Sequence, residues 1–207
     1  MGFRLDSRLP PTLPILHRLI QAAPVVTNSP ENAALFMAMC SLAFYAFLRV
    51  GEMTVVSSNK SNVPLQLDQL TQLVDTNNKV VVLKLSFRNY KHSYNCPTFS
   101  LTISREANFC PVNIMLKYLD IRGHQPRPLF SSSGGQAVSR EIFVDFLSKA
   151  LLYCNLDPSR YKGHSFRIGA ASHAAEQGFT DAQIRIMGRW KSTAFLKYIV
   201  SPAFTPR

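Results

Sequence analysis

The stretch Lys162–Val200, KGHSFRIGAASHAAEQGFTDAQIRIMGRWKSTAFLKYIV, organises the reading of the whole chain. His164 and Arg167 stand three apart at the start of a small-residue run with helical character, so they share one helical face. That helix begins near Ser165 and ends at Gly178, a residue suited to a left-handed helix terminus. Thr180-x-x-Gln183 is a capping box for the next helix, which stops at Gly188. Ser192 then caps a short final helix carrying Tyr198. An imidazole and a guanidinium on one face, followed about thirty residues later by a lone phenol, are groups able to hold a phosphate and to attack it.

Working outward, Ser139 caps a helix to about Tyr153, with Ile142, Phe143, Phe146, Leu147, Ala150 and Leu151 at helical spacing. Pro111 to about Arg122 is a further helix closed by Gly123, and the loop through Pro126, Pro128 and SSSGGQ connects the two. Upstream the period changes. The run from Lys79 sets Val81, Leu83, Leu85 and Phe87 against Val82, Lys84 and Ser86, a half-buried strand. Thr98–Ile103 alternates in the same way, and between the two lies RNYKHSYNCP, a polar, basic hairpin connection with Lys91 near its start. Leu65–Val74 is a candidate third strand. Ser29-Pro30-Glu31 supplies an N-cap, a first-turn proline and a first-turn acid, starting a helix that is expected to run to about Arg49. Its apolar residues cover nearly every face, which places it at the centre of the fold. Gly51 is the expected stop, with Arg49 emerging from apolar surroundings and Glu52 three residues beyond it. Residues 1–29 form a lead-in with Pro10, Pro11, Pro14 and Pro24 around one short helix, Ile15–Ala22. The fold class is α+β, mostly helical, with a small antiparallel sheet, and residues 30–207 make one domain.

The chain's 207 residues, 46% of them hydrophobic, suffice for a proper core. Lys and Arg number 23 against 12 Asp and Glu, a net charge of +11 that favours a polyanionic partner, nucleic acid first and an acidic membrane surface second. Cys40, Cys96, Cys110 and Cys154 show no paired spacing and read as reduced thiols of an intracellular protein, with no metal centre. Ala33–Leu48 is too short for a membrane span, and MGFRLDSRLP lacks the apolar core of a secretion signal.

Taken singly, the candidate site residues have plain explanations. Arg49 can pair with Glu52 at a helix end, His164 can cap or pack, and Tyr198 can be a half-buried aromatic with its hydroxyl in water. Their conjunction is more specific. FYAFLRVGEM, NYKHS, GHSFRIGAAS and MGRWKSTAFLKYI, in that order from Phe44 to Ile199, resemble the catalytic domain of the tyrosine recombinase and phage-integrase family. The last two boxes resemble eukaryotic mobile-element recombinases of the DIRS and Crypton type.

The resemblance implies the tyrosine recombinase catalytic-domain fold and a DNA strand-exchange enzyme. By it, Arg49 and Arg167 clamp the scissile phosphate, Tyr198 is the nucleophile, Lys91 is the general acid for the leaving 5′ oxygen, and His164 assists as acid or base. Trp190 fills a position that many members give to His, and Glu52 orients Arg49. No metal or other cofactor and no small-molecule substrate is implied. The partner is double-stranded DNA, with Lys60, Arg88, Lys162 and Arg189 as candidate phosphate contacts and a homo-tetramer on DNA as the assembly, in the nucleus if the source is eukaryotic. Trp190 and Tyr198 are eight positions apart, one fewer than in many bacterial members, and nine residues follow Tyr198. The family carries a helical DNA-clamping domain ahead of the catalytic one, and residues 1–29 read as the end of such a domain. Two other classes stay open: a non-catalytic DNA-binding relic, and a topoisomerase-like enzyme that cuts and rejoins one strand.

Overall fold

A computed structural model describes residues 9–56, 63–88 and 98–199, without the side chains of Ala194, Lys197 and Tyr198. Its elements run α1 (Leu13–Val26), α2 (Pro30–Tyr45), α3 (Val50–Met53), β1 (Leu70–Val74), β2 (Val80–Phe87), β3 (Phe99–Ser104), α4 (Pro111–Arg122), α5 (Arg140–Tyr153), α6 (Ser165–Glu176) and α7 (Asp181–Met187). Short 3₁₀ turns occupy Leu67–Gln69 and Thr193–Tyr198.

Helix α2 is the hub. Ser29 accepts a hydrogen bond from the Asn32 N–H at 3.2 Å, Pro30 opens the helix, and residues such as Leu35, Phe36, Met39, Leu42 and Phe44 are buried on all sides against α1, α4 and α6. A helix apolar all round has no solvent face and sits inside the protein. The lead-in helix, expected over Ile15–Ala22, runs over Leu13–Val26 and is more embedded than its prolines suggest. Leu16, Leu19, Ile20, Ala22 and Ala23 of α1 belong to the same core as α2 and α5.

The end of α2 departs from expectation. It stops at Tyr45 rather than near Arg49, because Phe47 turns left-handed (φ 51°) and closes a Schellman motif, Phe47 N–H to the Phe44 carbonyl at 3.2 Å and Leu48 N–H to the Ala43 carbonyl at 3.0 Å. Arg49 is the N-cap of the one-turn α3, and Gly51, expected to end the preceding helix, lies inside α3.

The sheet has strand order β1-β2-β3, antiparallel throughout. Leu83 pairs with Ile103, Leu85 with Leu101 and Phe87 with Phe99, so one face is apolar and packs on α4 while Lys84 and Thr102 point outward. β1 is a largely exposed edge strand.

Helices α4 to α7 start and stop where their caps predict. Gly123 and Gly178 are left-handed (φ 75° and 81°), Ser139 accepts from the Ile142 N–H, and Thr180 and Gln183 form a reciprocal capping box. Ile142, placed on the inner face by spacing, is 41% exposed, since Phe143, Phe146 and Leu147 already fill that face. The small residues of α6 permit close packing. A Cβ on Gly169 would lie 2.2 Å from the Pro11 carbonyl and 3.1 Å from the Phe44 ring. Cys40, Cys110 and Cys154 are free and buried, while Cys96 lies outside the described residues. Among the described residues no helix is long and apolar enough to cross a membrane, and no cluster of three or more potential metal ligands occurs.

Candidate active site

Two helix C-termini meet at the site, and both end the same way. α7 closes with Gly188 as C-cap and Arg189 left-handed (φ 54°), Arg189 N–H bonding the Ile186 carbonyl at 2.9 Å and Trp190 N–H the Arg185 carbonyl at 3.0 Å. Neither Phe47 nor Arg189 is a residue that adopts this conformation freely, and side chains at such positions cost roughly 1–2 kcal/mol each. The cost is offset by what the two turns present. Their carbonyls are acceptors at the negative ends of helix dipoles, and buried guanidiniums take them. Arg167, from α6, donates through Nη1 to the Phe47 carbonyl at 3.0 Å and through Nη2 to the Gly188 carbonyl at 2.6 Å. Arg189 donates through Nη2 to the same Phe47 carbonyl at 3.2 Å and through Nη1 to the Ala46 carbonyl at 3.4 Å.

Arg49 joins this pair through a carboxylate. Glu52 accepts from the Arg49 backbone N–H (Oε2, 2.8 Å), from Arg49 Nη1 (Oε1, 3.2 Å) and from Arg189 Nη2 (Oε2, 2.8 Å). The Arg49 side chain is 29% exposed, against 14% for Glu52 and 1% for Arg189. Two guanidiniums thus share the Glu52 carboxylate, and a third, Arg167, is tied to Arg189 through the Phe47 carbonyl; the four groups carry a residual charge of two positive, with Arg49 on the solvent side.

Aromatic rings and two glycine contacts complete the setting. The Trp190 ring lies 4.4 Å from the Arg167 guanidinium carbon, Phe195 stacks on Trp190 at 5.3 Å, and Phe47 meets it edge-on at 6.1 Å. Trp190 folds back so closely over Gly188 that a Cβ there would be 1.5 Å from the ring. Half-buried His164 is the N-cap of α6, its carbonyl accepting from the Arg167 and Ile168 N–H groups. The loop before it presses on the Arg49 turn, since a Cβ on Gly163 would be 2.0 Å from Val50 Cγ2.

Arg49, Glu52, His164, Arg167 and Trp190 therefore come together from distant parts of the chain. Tyr198 ends the 3₁₀ turn, which is docked beside them by buried Phe195 and by Ile199 against the cluster that contains Phe47 and Trp190. Its side chain is outside the described atoms, as are Lys91 and Lys60 altogether. Lys162 is exposed, and exposed Arg88 is paired with Asp68 at 2.8 Å. Arg189 requires correction. Read from sequence as a surface phosphate contact, it is buried and committed to Glu52 and two carbonyls, its guanidinium carbon 4.0 Å from the Phe87 ring centre. Sequence reasoning also missed Gly163, the Phe47 carbonyl and the packing of Trp190 on Gly188, which it read only as a helix stop. The G-R-W order after a capped helix marked the place without showing which way the arginine points.

No family model matches this chain, and no curated protein matches it by sequence. Solved structures do resemble it. XerH site-specific recombinase bound to difH substrate in a pre-cleavage complex superposes with a TM-score of 0.68 at 12% identity, covering 94% of this chain and 51% of that one. XerA recombinase gives 0.65 at 17% identity, covering 98% and 62% respectively. The chain has the tyrosine recombinase catalytic-domain fold. A lambda integrase dimer bound to a COC′ core site gives 0.65 at 14% identity, covering 96% of this chain and 49% of that one. The chain thus spans about half to three-fifths of the length of these recombinases.

Proposed function

We propose that this chain cleaves and rejoins double-stranded DNA through a 3′-phosphotyrosine intermediate, in site-specific recombination or integration by a eukaryotic mobile element of the DIRS or Crypton type. The observation that carries the proposal is the gathering of three guanidiniums, two on the Glu52 carboxylate and one joined to them through the Phe47 carbonyl, beside the turn that bears Tyr198. A tyrosine hydroxyl titrates near pH 10 and is a poor nucleophile at neutral pH, so excess positive charge nearby serves twice. It favours phenolate, and it stabilises the charge growing on phosphoryl oxygens in the transition state.

In this scheme Tyr198 Oη bonds to phosphorus, its proton passing to His164, while the bond from phosphorus to the 5′ oxygen breaks and Lys91 protonates the departing oxygen. A 5′ hydroxyl from another strand then attacks the phosphotyrosine and the steps reverse. One phosphodiester forms for each one broken, so no nucleotide is consumed. The DNA-bound state of XerH and lambda integrase supports the choice of partner. Assembly as a tetramer on DNA and a nuclear location belong to the same proposal.

The test uses an oligonucleotide duplex nicked next to the cut site, so that the short leaving fragment diffuses away. A covalent protein–DNA adduct on a denaturing gel is expected from the wild type and none from Tyr198→Phe; an adduct that persists in the variant refutes the assignment. A second reading, a DNA-binding relic without catalysis, is favoured by the burial of Arg167, 1% exposed and bonded to two carbonyls. Salt-dependent DNA binding with no adduct from intact Tyr198 is its signature.

A further inference from the structure

Arg189 sits where three parts of the site join. Its guanidinium bonds Glu52, the acid that also holds Arg49; it bonds the Ala46 and Phe47 carbonyls at the end of α2; and it lies 4.0 Å from the ring of Phe87, the last residue of β2. Phe87 ends β2, so the same arginine also lies against the end of the sheet.

Charge decides what such an arrangement does. Glu52 alone with Arg49 is a neutral pair, and an arginine already satisfied by its own carboxylate has little left for a phosphate. With Arg189 on the other oxygen, two guanidiniums share one carboxylate and the group keeps one positive charge. The side chain that contributes the extra charge is 1% exposed and cannot itself meet a large anion, whereas Arg49 is 29% exposed and can. The left-handed backbone of Arg189 (φ 54°) supports the same view, because a position that glycine fills without strain holds a long cation instead.

We propose that Arg189 is an internal counter-charge and positioning residue, which ties up Glu52 so that Arg49 keeps its positive charge for an incoming phosphodiester. The inference rests on reading the site as one for a phosphodiester. It differs from a DNA-contact role, since Arg189 acts through Glu52 and Arg49 and does not touch the ligand.

The experiment titrates the full chain with inorganic phosphate, ionic strength held constant with chloride, and follows the thermal midpoint, alongside the adduct assay above. Arg189→Gln is expected to weaken phosphate binding about tenfold. Arg189→Lys, which keeps the charge, stays within about threefold of the wild type. Adding Glu52→Gln to Arg189→Gln restores binding to within about threefold, because the neutralising carboxylate is gone. A merely structural role predicts the reverse, a double variant worse than either single one. Phosphate binding by Arg189→Gln within twofold of the wild type, or no recovery in the double variant, overturns the inference. If Arg189→Gln does not fold, the comparison of Arg189→Lys with the wild type decides, a loss of tenfold or more counting against it. A wild type that binds phosphate with this charge pattern yet forms no adduct leaves the inference standing and removes the strand-cleavage proposal. A wild type that forms adduct while Arg189→Gln does so at the same rate removes the inference alone.

Discussion

Replacing Gly188 by alanine isolates the contact between Trp190 and Arg167. Gly188 has ordinary backbone angles (φ −79°, ψ −4°), so alanine is compatible with the chain path, and without a clash the exchange would stabilise by about 0.4–1 kcal/mol through the unfolded state. The added Cβ, however, would stand 1.5 Å from Trp190 Cζ3 and 1.9 Å from Cε3, and the ring must leave. Overpacking of this kind costs about 1–3 kcal/mol, and the lost cation–π contact with Arg167 about 0.5–2 kcal/mol more. The net expectation is a loss of about 2–3 kcal/mol, a urea midpoint lower by about 1 M at an m-value of about 2 kcal/mol/M. Trp190 is the chain's single tryptophan, so its fluorescence reports the displacement directly, with emission shifting to longer wavelength in the folded variant. Gly134→Ala is the control, since the nearest atom to its added Cβ is Ser132 Oγ at 4.0 Å. A Gly188→Ala protein as stable as the wild type, with unchanged emission, would refute the account of how the G-R-W turn holds Arg167.

Arg167→Leu is expected to cost about 3 kcal/mol in a urea melt, because the buried Gly188 carbonyl loses its guanidinium donor; a loss under about 1 kcal/mol would mean that water reaches this carbonyl in the variant. The Tyr45 hydroxyl is pushed up to about 12, first by burial and then by Glu106 and Cys110. In the unfolded chain it ionises near 10, so its contribution to stability is complete below that pH and is lost as pH rises from about 10 to 12. Burial raises the Tyr118 and Tyr161 hydroxyls too, so tyrosinate absorbance should show a late phase that is normal in urea, and a Tyr45→Phe protein should lose one residue's share of that phase and lose less stability over the same interval.

Local signals in the sequence account for most of the element boundaries. Thr180 with Gln183, Ser139, Pro111 and the glycines at 123 and 178 act within a few residues of themselves, and the alternation of Leu83, Leu85 and Phe87 declares a strand with one buried face. The pairing of Arg49 with Glu52 was legible for the same reason, three residues being one helical turn. The end of α2 was not legible, because its left-handed residue is Phe47, which leaves no compositional mark where glycine would. Nor was the direction of Arg189, whose bonds to Glu52 and the Phe47 carbonyl cross 137 and 142 positions of chain, or that of Arg167, whose bond to the Phe47 carbonyl crosses 120. By itself the sequence determined which residues carry charge and where helices α2 and α4 to α7 begin. Only the tertiary structure decided which cation is buried to serve another, because burial depends on what distant segments place over a side chain, and a guanidinium reads the same in sequence whether it meets water or a carbonyl.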